Sequence, residues 1–142
     1  MTNIIISNHC NEQEFKDIVR INGLWKYNMD KTNGKLGVPD TEIVRVAREN
    51  NIIVGGASGF TYLSSLETEV LWVSETCRGQ NVASRLLAEI ENEARALGCR
   101  IAHTTTYSFQ APSFYQKQGY VICGEINGFP DDITLYMLKK QL

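Results

Sequence analysis

The turn from Thr76 to Arg85 is the stretch of this sequence whose residue types best suit a chemical task. It contains no acidic residue, and it holds Arg78, Gly79 and a second arginine at its end. A glycine-containing loop that leads into a helix presents free backbone amides at the positive end of the helix dipole, which favours binding of a phosphate group. The alternative is an ordinary strand–turn–helix connection with a basic surface.

Two common nucleotide-binding motifs are absent from this turn. No glycine-rich run closes with Lys-Ser or Lys-Thr, and no G-x-G-x-x-G is followed by an acidic residue about 20 positions later. If the turn binds a phosphate, it therefore belongs to neither of those nucleotide-binding classes.

A pair of carboxylates precedes the turn on a predicted strand from Glu67 to Val73. Because side chains alternate along a strand, residues 67, 69, 71 and 73 are expected to share one face. Glu67 and Glu69 would then project together and could accept a proton. The alternative is that both glutamates lie on the solvated face of a half-exposed strand.

The elements that must position these residues follow from hydrophobic spacing. Apolar residues at Ala83, Leu87, Ile90, Ala94 and Leu97 predict an amphipathic helix, and Gly98 can end it. A helix begins near Asn8 or Asn11 and is interrupted at Gly23, and a short helix covers residues 109–118. A loop is expected from Gly23 to Asp40, where Asn33, Gly34, Gly37 and Pro39 break regular structure.

Strands are predicted at six further places. They are residues 4–6, a hairpin of 44–46 and 52–54 joined by Asn50-Asn51, a glycine-containing continuation through residue 63, and strands at 100–105, 120–125 and 134–138. This alternation of strands and helices predicts one mixed sheet covered by helices.

Composition limits the remaining possibilities. The 142 residues suit a single domain over 1–142, and a net charge of −2 gives no global attraction to nucleic acid or acidic lipid. The four cysteines have neither zinc-site spacing nor the density of a disulfide scaffold, and the two histidines, His9 and His103, suggest structural roles rather than a metal site. With no signal peptide or membrane span in the sequence, a soluble cytoplasmic protein is expected.

Three sequence features together resemble the GNAT-type N-acetyltransferases. The segment Arg78-Gly79-Gln80-Asn81-Val82-Ala83 is similar to the family's Arg/Gln-x-x-Gly-x-Gly/Ala loop, with Asn81 at the position that is usually glycine. The segment from Ala111 through Tyr115 to Gly119-Tyr120 looks like its A-x-x-F-Y-x-x-x-G-F/Y signature, and a glycine-rich third strand precedes both. The asparagine that often lies three residues before the alanine is Ser108 here, and Gln110 could replace its hydrogen bond.

The resemblance implies an α/β (α+β) fold with a single mixed, mostly antiparallel sheet of about six to seven strands flanked by helices. It also implies transfer of an acetyl group from acetyl-CoA, the co-substrate, to a primary amine by direct attack in a ternary complex, without a metal. Acetyl-CoA and the amine would be the partners, and a homodimer stays open. The alternatives are a non-catalytic acyl-CoA-binding or sensing module and a structural or interaction domain.

The resemblance also assigns roles to individual residues. Tyr115 would be the acid that protonates the leaving thiolate, although from the sequence alone it reads as a core aromatic beside Phe114. Glu69 is the first choice for the base and Glu67 the second. The implied coenzyme contacts are the main chain of Leu71, Trp72 and Val73, whose side chains are expected in the core, and Arg78, Gly79, Gln80, Asn81, Val82, Ala83, Ser84 and Ser108.

Overall fold

The computed structural model describes residues 3–34 and 40–142, which form two compact units. The expectation of a single domain over 1–142 stays a prediction. Within these residues no helix is both long and apolar enough to cross a membrane.

The N-terminal unit contains one continuous helix, α1, made of the segments Glu12–Glu14, Phe15–Trp25 and Lys26–Lys31. Its middle segment is wound as a π-helix. Asn11 caps the helix as expected, because its Oδ1 accepts a hydrogen bond from the Glu14 amide at 2.7 Å.

Two predictions for this unit are wrong. Residues 4–6 form no strand: their side chains are 79–95% exposed, and an apolar run of three residues is too short to specify a strand without a partner. The helix also continues past Gly23, because one glycine costs a helix only about 1 kcal/mol. The helix ends at Lys31, and Asn33 and Gly34 in the turn that follows both have positive φ. Gly37 and Pro39 lie outside the described residues.

The larger unit is built on a mixed six-stranded sheet, which confirms the predicted fold class. The strands are β1 (Thr41–Glu49), β2 (Ile52–Tyr62), β3 (Ser65–Val73), β4 (Ile101–Tyr107), β5 (Val121–Ile126) and β6 (Leu135–Gln141). Their order is β1-β2-β3-β4-β6-β5, and every neighbouring pair is antiparallel except β3 and β4. The predicted Asn50-Asn51 turn joins β1 to β2, with both residues at positive φ.

Two helices cover one side of this sheet. Helix α2 (Val82–Ala96) packs on β1, β2 and β3 through Leu87, Ile90 and Ala94, as the spacing predicted. The Gly98 amide donates to the Arg95 carbonyl after the last turn. The short helix α3 (Pro112–Lys117) contacts β5, with Pro112 in its first turn.

A bulge in β3 interrupts the alternation of its side chains. Ser58 pairs with Val70 but the next residue, Gly59, pairs with Thr68, so Glu69 is an extra residue without a partner on β2. A side chain at position 59 would collide with the Glu67 carbonyl, so glycine is required where the two backbones approach. The expectation that Glu67 and Glu69 share a regular face with residues 71 and 73 is therefore wrong. The bulge places Glu67 on the side of the sheet opposite to residues 71 and 73.

Candidate active site

A cleft of about 650 Å³ opens where β3 and β4 separate. The two strands pair only from Ser65 opposite Ile101 to Glu67 opposite His103, and beyond this point they diverge. The cleft is lined by residues of β3, β4, the following loop and both helices: Glu69, Val70, Leu71, Trp72, Val73, Arg78, Ala83, Thr104, Thr105, Thr106, Phe109, Gln110, Ala111, Phe114 and Tyr115.

A smaller cavity of about 220 Å³ lies at the start of α2. It shares Val73, Arg78, Ala83 and Phe114 with the cleft, so the two spaces adjoin. Its other lining residues are Cys77, Gly79, Asn81, Val82 and Ser84. Most of the residues predicted to bind a coenzyme therefore surround these two spaces.

The loop before α2 has the geometry of an anion site. Gly79 has φ +76° and open space where a side chain would point, and Asn81 adopts the left-handed conformation at φ 59° and ψ 16°. The side chain of Asn81, the N-cap residue, makes no capping hydrogen bond to the first amides of α2. The Arg78 guanidinium is held above the loop by a 3.2 Å hydrogen bond from its Nε to the Val73 carbonyl. The backbone amides at the start of α2, the open space at Gly79 and the Arg78 guanidinium together suit the binding of a pyrophosphate group.

Asn81 therefore meets the backbone requirement of the position that is usually glycine in the resembling family. Asparagine is among the few residues that adopt left-handed angles at low cost. Asn81 is one of the residues that line the smaller cavity.

Tyr115 lines the cleft from α3 and is only 7% exposed. Burial raises the pKa of its hydroxyl above the usual 10.0, and a hydrogen bond with Thr104 opposes part of this rise. Its ring contacts Phe114 at 5.2 Å between centroids, so the predicted aromatic pair is present. A buried, protonated hydroxyl at the cleft can donate a proton to a group bound there.

The two glutamates occupy different places. Glu69 lines the cleft at the bulge, and its side chain is exposed. Glu67 lies outside the lining, beside His103 at the end of the β3–β4 pairing. The His103 ring nitrogen Nε2 lies 3.4 Å from the Ser65 hydroxyl.

Three other predicted residues are placed differently from expectation. Ser108 lies outside the lining, since its hydroxyl accepts from the Thr134 amide at 3.1 Å. Gln80 lines neither space, and its Nε2 is 3.5 Å from the Thr76 carbonyl. Trp72 is not in the core: the bulge leaves its side chain 52% exposed at the cleft.

Sequence reasoning missed several lining residues, namely Val70, Cys77, Thr104, Thr105, Thr106, Phe109, Ala111 and Phe114. Thr104 and Thr106 are buried, and the Thr104 hydroxyl donates to the Thr68 carbonyl at 2.9 Å. Three consecutive threonines on a strand next to a predicted site were a signal that could have drawn attention to them.

A buried polar cluster centred on Glu91 was also missed. Glu91 is 3% exposed, and its carboxylate accepts from the Tyr120 hydroxyl at 2.9 Å and from Lys140 Nζ at 2.7 Å. Burial and the Glu91 charge raise the pKa of Tyr120. Arg95, one turn further along α2, also pairs with Glu91 at 3.7 Å.

Comparisons with known proteins agree with this geometry. Residues 40–122 match the sequence model of the acetyltransferase (GNAT) domain. The chain is 38% identical over 95 residues to blasticidin-S acetyltransferase of Streptomyces morookaense, covering 66% of this chain and 70% of that protein. The crystal structure of an acetyltransferase from Bacillus cereus superimposes with a TM-score of 0.89 at 33% identity, covering 98% of both chains.

A more distant structure, from Bacillus anthracis, was solved in complex with acetyl coenzyme A. It has a TM-score of 0.65 and 22% identity, and the match covers 78% of this chain and 67% of that one. At that identity the likeness shows a common fold.

Proposed function

Given that this chain belongs to the GNAT acetyltransferase family and is therefore an acyltransferase, we propose that it transfers an acetyl group from acetyl-CoA to a primary amine by direct attack in a ternary complex. The separation of β3 from β4, with Arg78 and the start of α2 at one end and Tyr115 in its wall, is the observation that supports this proposal most.

The coenzyme enters from the side of the helices. The loop amides from Gly79 to Ala83 and the Arg78 guanidinium receive the pyrophosphate, and Ser84 lines the same cavity. The Arg78 amide itself donates to the Glu75 carbonyl at 3.3 Å. After Glu67, the described residues of β3 have no ladder partner on β4. Backbone groups of Leu71–Val73 that face the cleft, other than the Val73 carbonyl that accepts from Arg78, are therefore available to the pantetheine arm and the acetyl oxygen. Such amides would also stabilise the oxyanion that forms during attack.

The acceptor enters from the opposite side of the sheet. Its amine nitrogen attacks the acetyl carbonyl carbon, the carbon–sulfur bond breaks, and the products are an amide and free coenzyme A. Glu69 takes the proton that the amine loses, directly or through water, and Tyr115 supplies the proton that the thiolate gains. The raised pKa of Tyr115 keeps that proton in place at neutral pH.

The names of the relatives do not identify the acceptor of this chain. One of them is named for blasticidin S, and a further relative, 35% identical, is named for IAA. Because the exposed carboxylate of Glu69 lies in the cleft, we propose a cationic amine in preference to an acidic one. A cytoplasmic location and a homodimer belong to the same proposal.

A thiol-release assay with acetyl-CoA and a panel of polyamines, aminoglycosides, amino acids and peptides tests this function. Release of coenzyme A that depends on an amine, with the acetylated product seen by mass spectrometry, is expected. Thermal stabilisation by acetyl-CoA without thiol release from any acceptor would favour the non-catalytic binding module. Absence of both effects would contradict the proposal.

A further inference from the structure

Three aromatic side chains contact one another beside the cleft. Tyr107 and Phe109 are stacked at 5.5 Å between ring centroids with planes 5° apart, and Phe129 meets Tyr107 edge to face at 5.8 Å. We call these three rings the aromatic platform. Within it, Phe109 lines the cleft and is 67% exposed, so one face of a large apolar ring is presented to solvent beside the reacting groups.

The backbone on both sides of Phe109 is fixed. Ser108 exchanges two hydrogen bonds with Thr134, at 2.8 Å from its amide and at 3.1 Å to its hydroxyl. The Gln110 side-chain oxygen accepts from the Tyr107 amide at 2.8 Å. An exposed ring held in this way loses little conformational freedom when a ligand stacks on it.

The platform lies on the acceptor side of the sheet. Thr104 and Thr106 lie on the side of the sheet that the helices cover, since both residues are buried and Thr104 lines the cleft together with Tyr115. Alternation along β4 therefore directs Tyr107, and Phe109 stacked on it, to the opposite side. On the other wall of the cleft, Trp72 and Val70 are 52% and 53% exposed, and the Glu69 carboxylate lies next to them in the chain.

We infer that the aromatic platform recognises the acceptor, and that the acceptor is a cationic amine bearing a flat aromatic or heteroaromatic group. This inference rests on the proposed acetyl transfer. A flat group stacks on Phe109 with Trp72 opposite it, while the ammonium is attracted to Glu69 and to the electron-rich ring faces. Two apolar ring surfaces exposed across one cleft are unfavourable in water unless a ligand covers them.

The test compares two primary monoamines of equal charge, tryptamine and pentylamine, in the thiol-release assay. We expect the unmodified protein to use tryptamine with a kcat/KM at least about tenfold higher than that for pentylamine. Phe109→Ala should lower kcat/KM for tryptamine about tenfold, mainly through KM, and change that for pentylamine less than about twofold. Phe109→Trp should retain the preference, and Val121→Ala, which removes an exposed apolar side chain on β5 outside the cleft, should change nothing.

Calorimetry with acetyl-CoA tests whether the aromatic platform contacts the coenzyme. Unchanged acetyl-CoA affinity in Phe109→Ala is expected, and a large loss would assign the platform to the coenzyme instead. Equal use of the two amines, an equal loss for both, or transfer only to acceptors without a ring would overturn the inference while leaving the acetyltransferase function intact. Failure of the unmodified protein to release thiol with any amine would instead contradict the proposed function.

Discussion

The rings of Tyr115 and Tyr120 meet edge to face at 5.4 Å between centroids, yet their hydroxyl groups have different partners. The Tyr120 hydroxyl donates to the buried Glu91 carboxylate, whereas Tyr115 lines the cleft together with Thr104. Both tyrosines have raised pKa values because they are buried. Only Tyr115 is placed to meet a substrate, and the two residues should respond differently to loss of the hydroxyl.

Tyr115→Phe should lower turnover by about 10²–10⁴-fold and leave acetyl-CoA affinity nearly unchanged, because the hydroxyl acts in the transition state. Single-turnover kinetics and calorimetry measure the two quantities separately. Tyr62→Phe, which removes an exposed hydroxyl at the end of β2, is the matched control. A normal single-turnover rate in Tyr115→Phe would mean that the thiolate takes its proton from elsewhere, such as water.

The assignment of Tyr115 as the acid also predicts how turnover depends on pH in the alkaline range. Since burial raises the pKa of Tyr115 above 10.0, the acid stays protonated at neutral and moderately alkaline pH. Turnover should therefore not fall through loss of this proton until the pH exceeds 10. A decline centred near pH 8 would identify a different group as the acid.

Glu69→Gln should slow the reaction most at low pH, where few acceptor molecules are already neutral, and higher pH should partly restore the rate. Glu67→Gln is the control, because this substitution removes the same negative charge at a position outside the cleft lining. The pH dependence of kcat/KM for the amine is the measurement. If Glu67→Gln alone shows this pattern, the two roles are exchanged.

Arg78→Glu should weaken acetyl-CoA binding strongly, because it removes a cation from the pyrophosphate loop and introduces a repulsive charge. Calorimetry should show the loss, and Arg100→Glu, an exposed arginine outside both cavities, should bind normally. Equal affinity in the two variants would refute the loop assignment.

Asn81→Gly should bind acetyl-CoA as tightly as the unmodified protein or more tightly. Glycine accepts the φ of 59° without strain, and the change removes a side chain from the cavity wall. A clear loss of affinity by calorimetry would show that the Asn81 side chain itself contacts the coenzyme.

Tyr120→Phe should lower the free energy of unfolding by about 1–3 kcal/mol at pH 7, because a buried hydrogen bond to Glu91 is lost. A folded-state pKa above the unfolded value of 10.0 stabilises the fold fully below pH 10, and that stability is lost as the pH rises further. Urea unfolding at pH 7 and above pH 10 should show a smaller alkaline loss in Tyr120→Phe than in Tyr62→Phe. If both variants lose the same amount of stability above pH 10, Tyr120 is not the titrating group.

The sequence predicts this fold well where local patterns and tertiary packing agree. The α2 helix follows from its apolar spacing, and the β1–β2 hairpin follows from two asparagines that tolerate positive φ. The isoleucines at positions 4–6 were misread because a short apolar run contains no information about a partner strand.

The candidate site is less predictable because it depends on a register shift. The bulge at Glu69 arises where Gly59 allows β2 and β3 to approach, which is a relation between strands that period-two reasoning does not contain. The bulge determines which side of the sheet Glu67 occupies, and it leaves the Trp72 side chain exposed. Glu91 was unexpected in the core because its partners Tyr120 and Lys140 are distant in sequence.

The short parallel pairing of β3 with β4 has a mechanical consequence. It divides the sheet into two leaves, β1-β2-β3 with α2 and β4-β6-β5 with α3, joined along the ladder from Ser65 to Glu67. On the helix side, hydrogen bonds from Tyr120 and Lys140 to Glu91, and from Gln118 to Ser84, tie one leaf to the other. Glu91 accepts two of these three bonds, so a change at Glu91 would remove most of the ties on the helix side without altering any residue that lines the cleft.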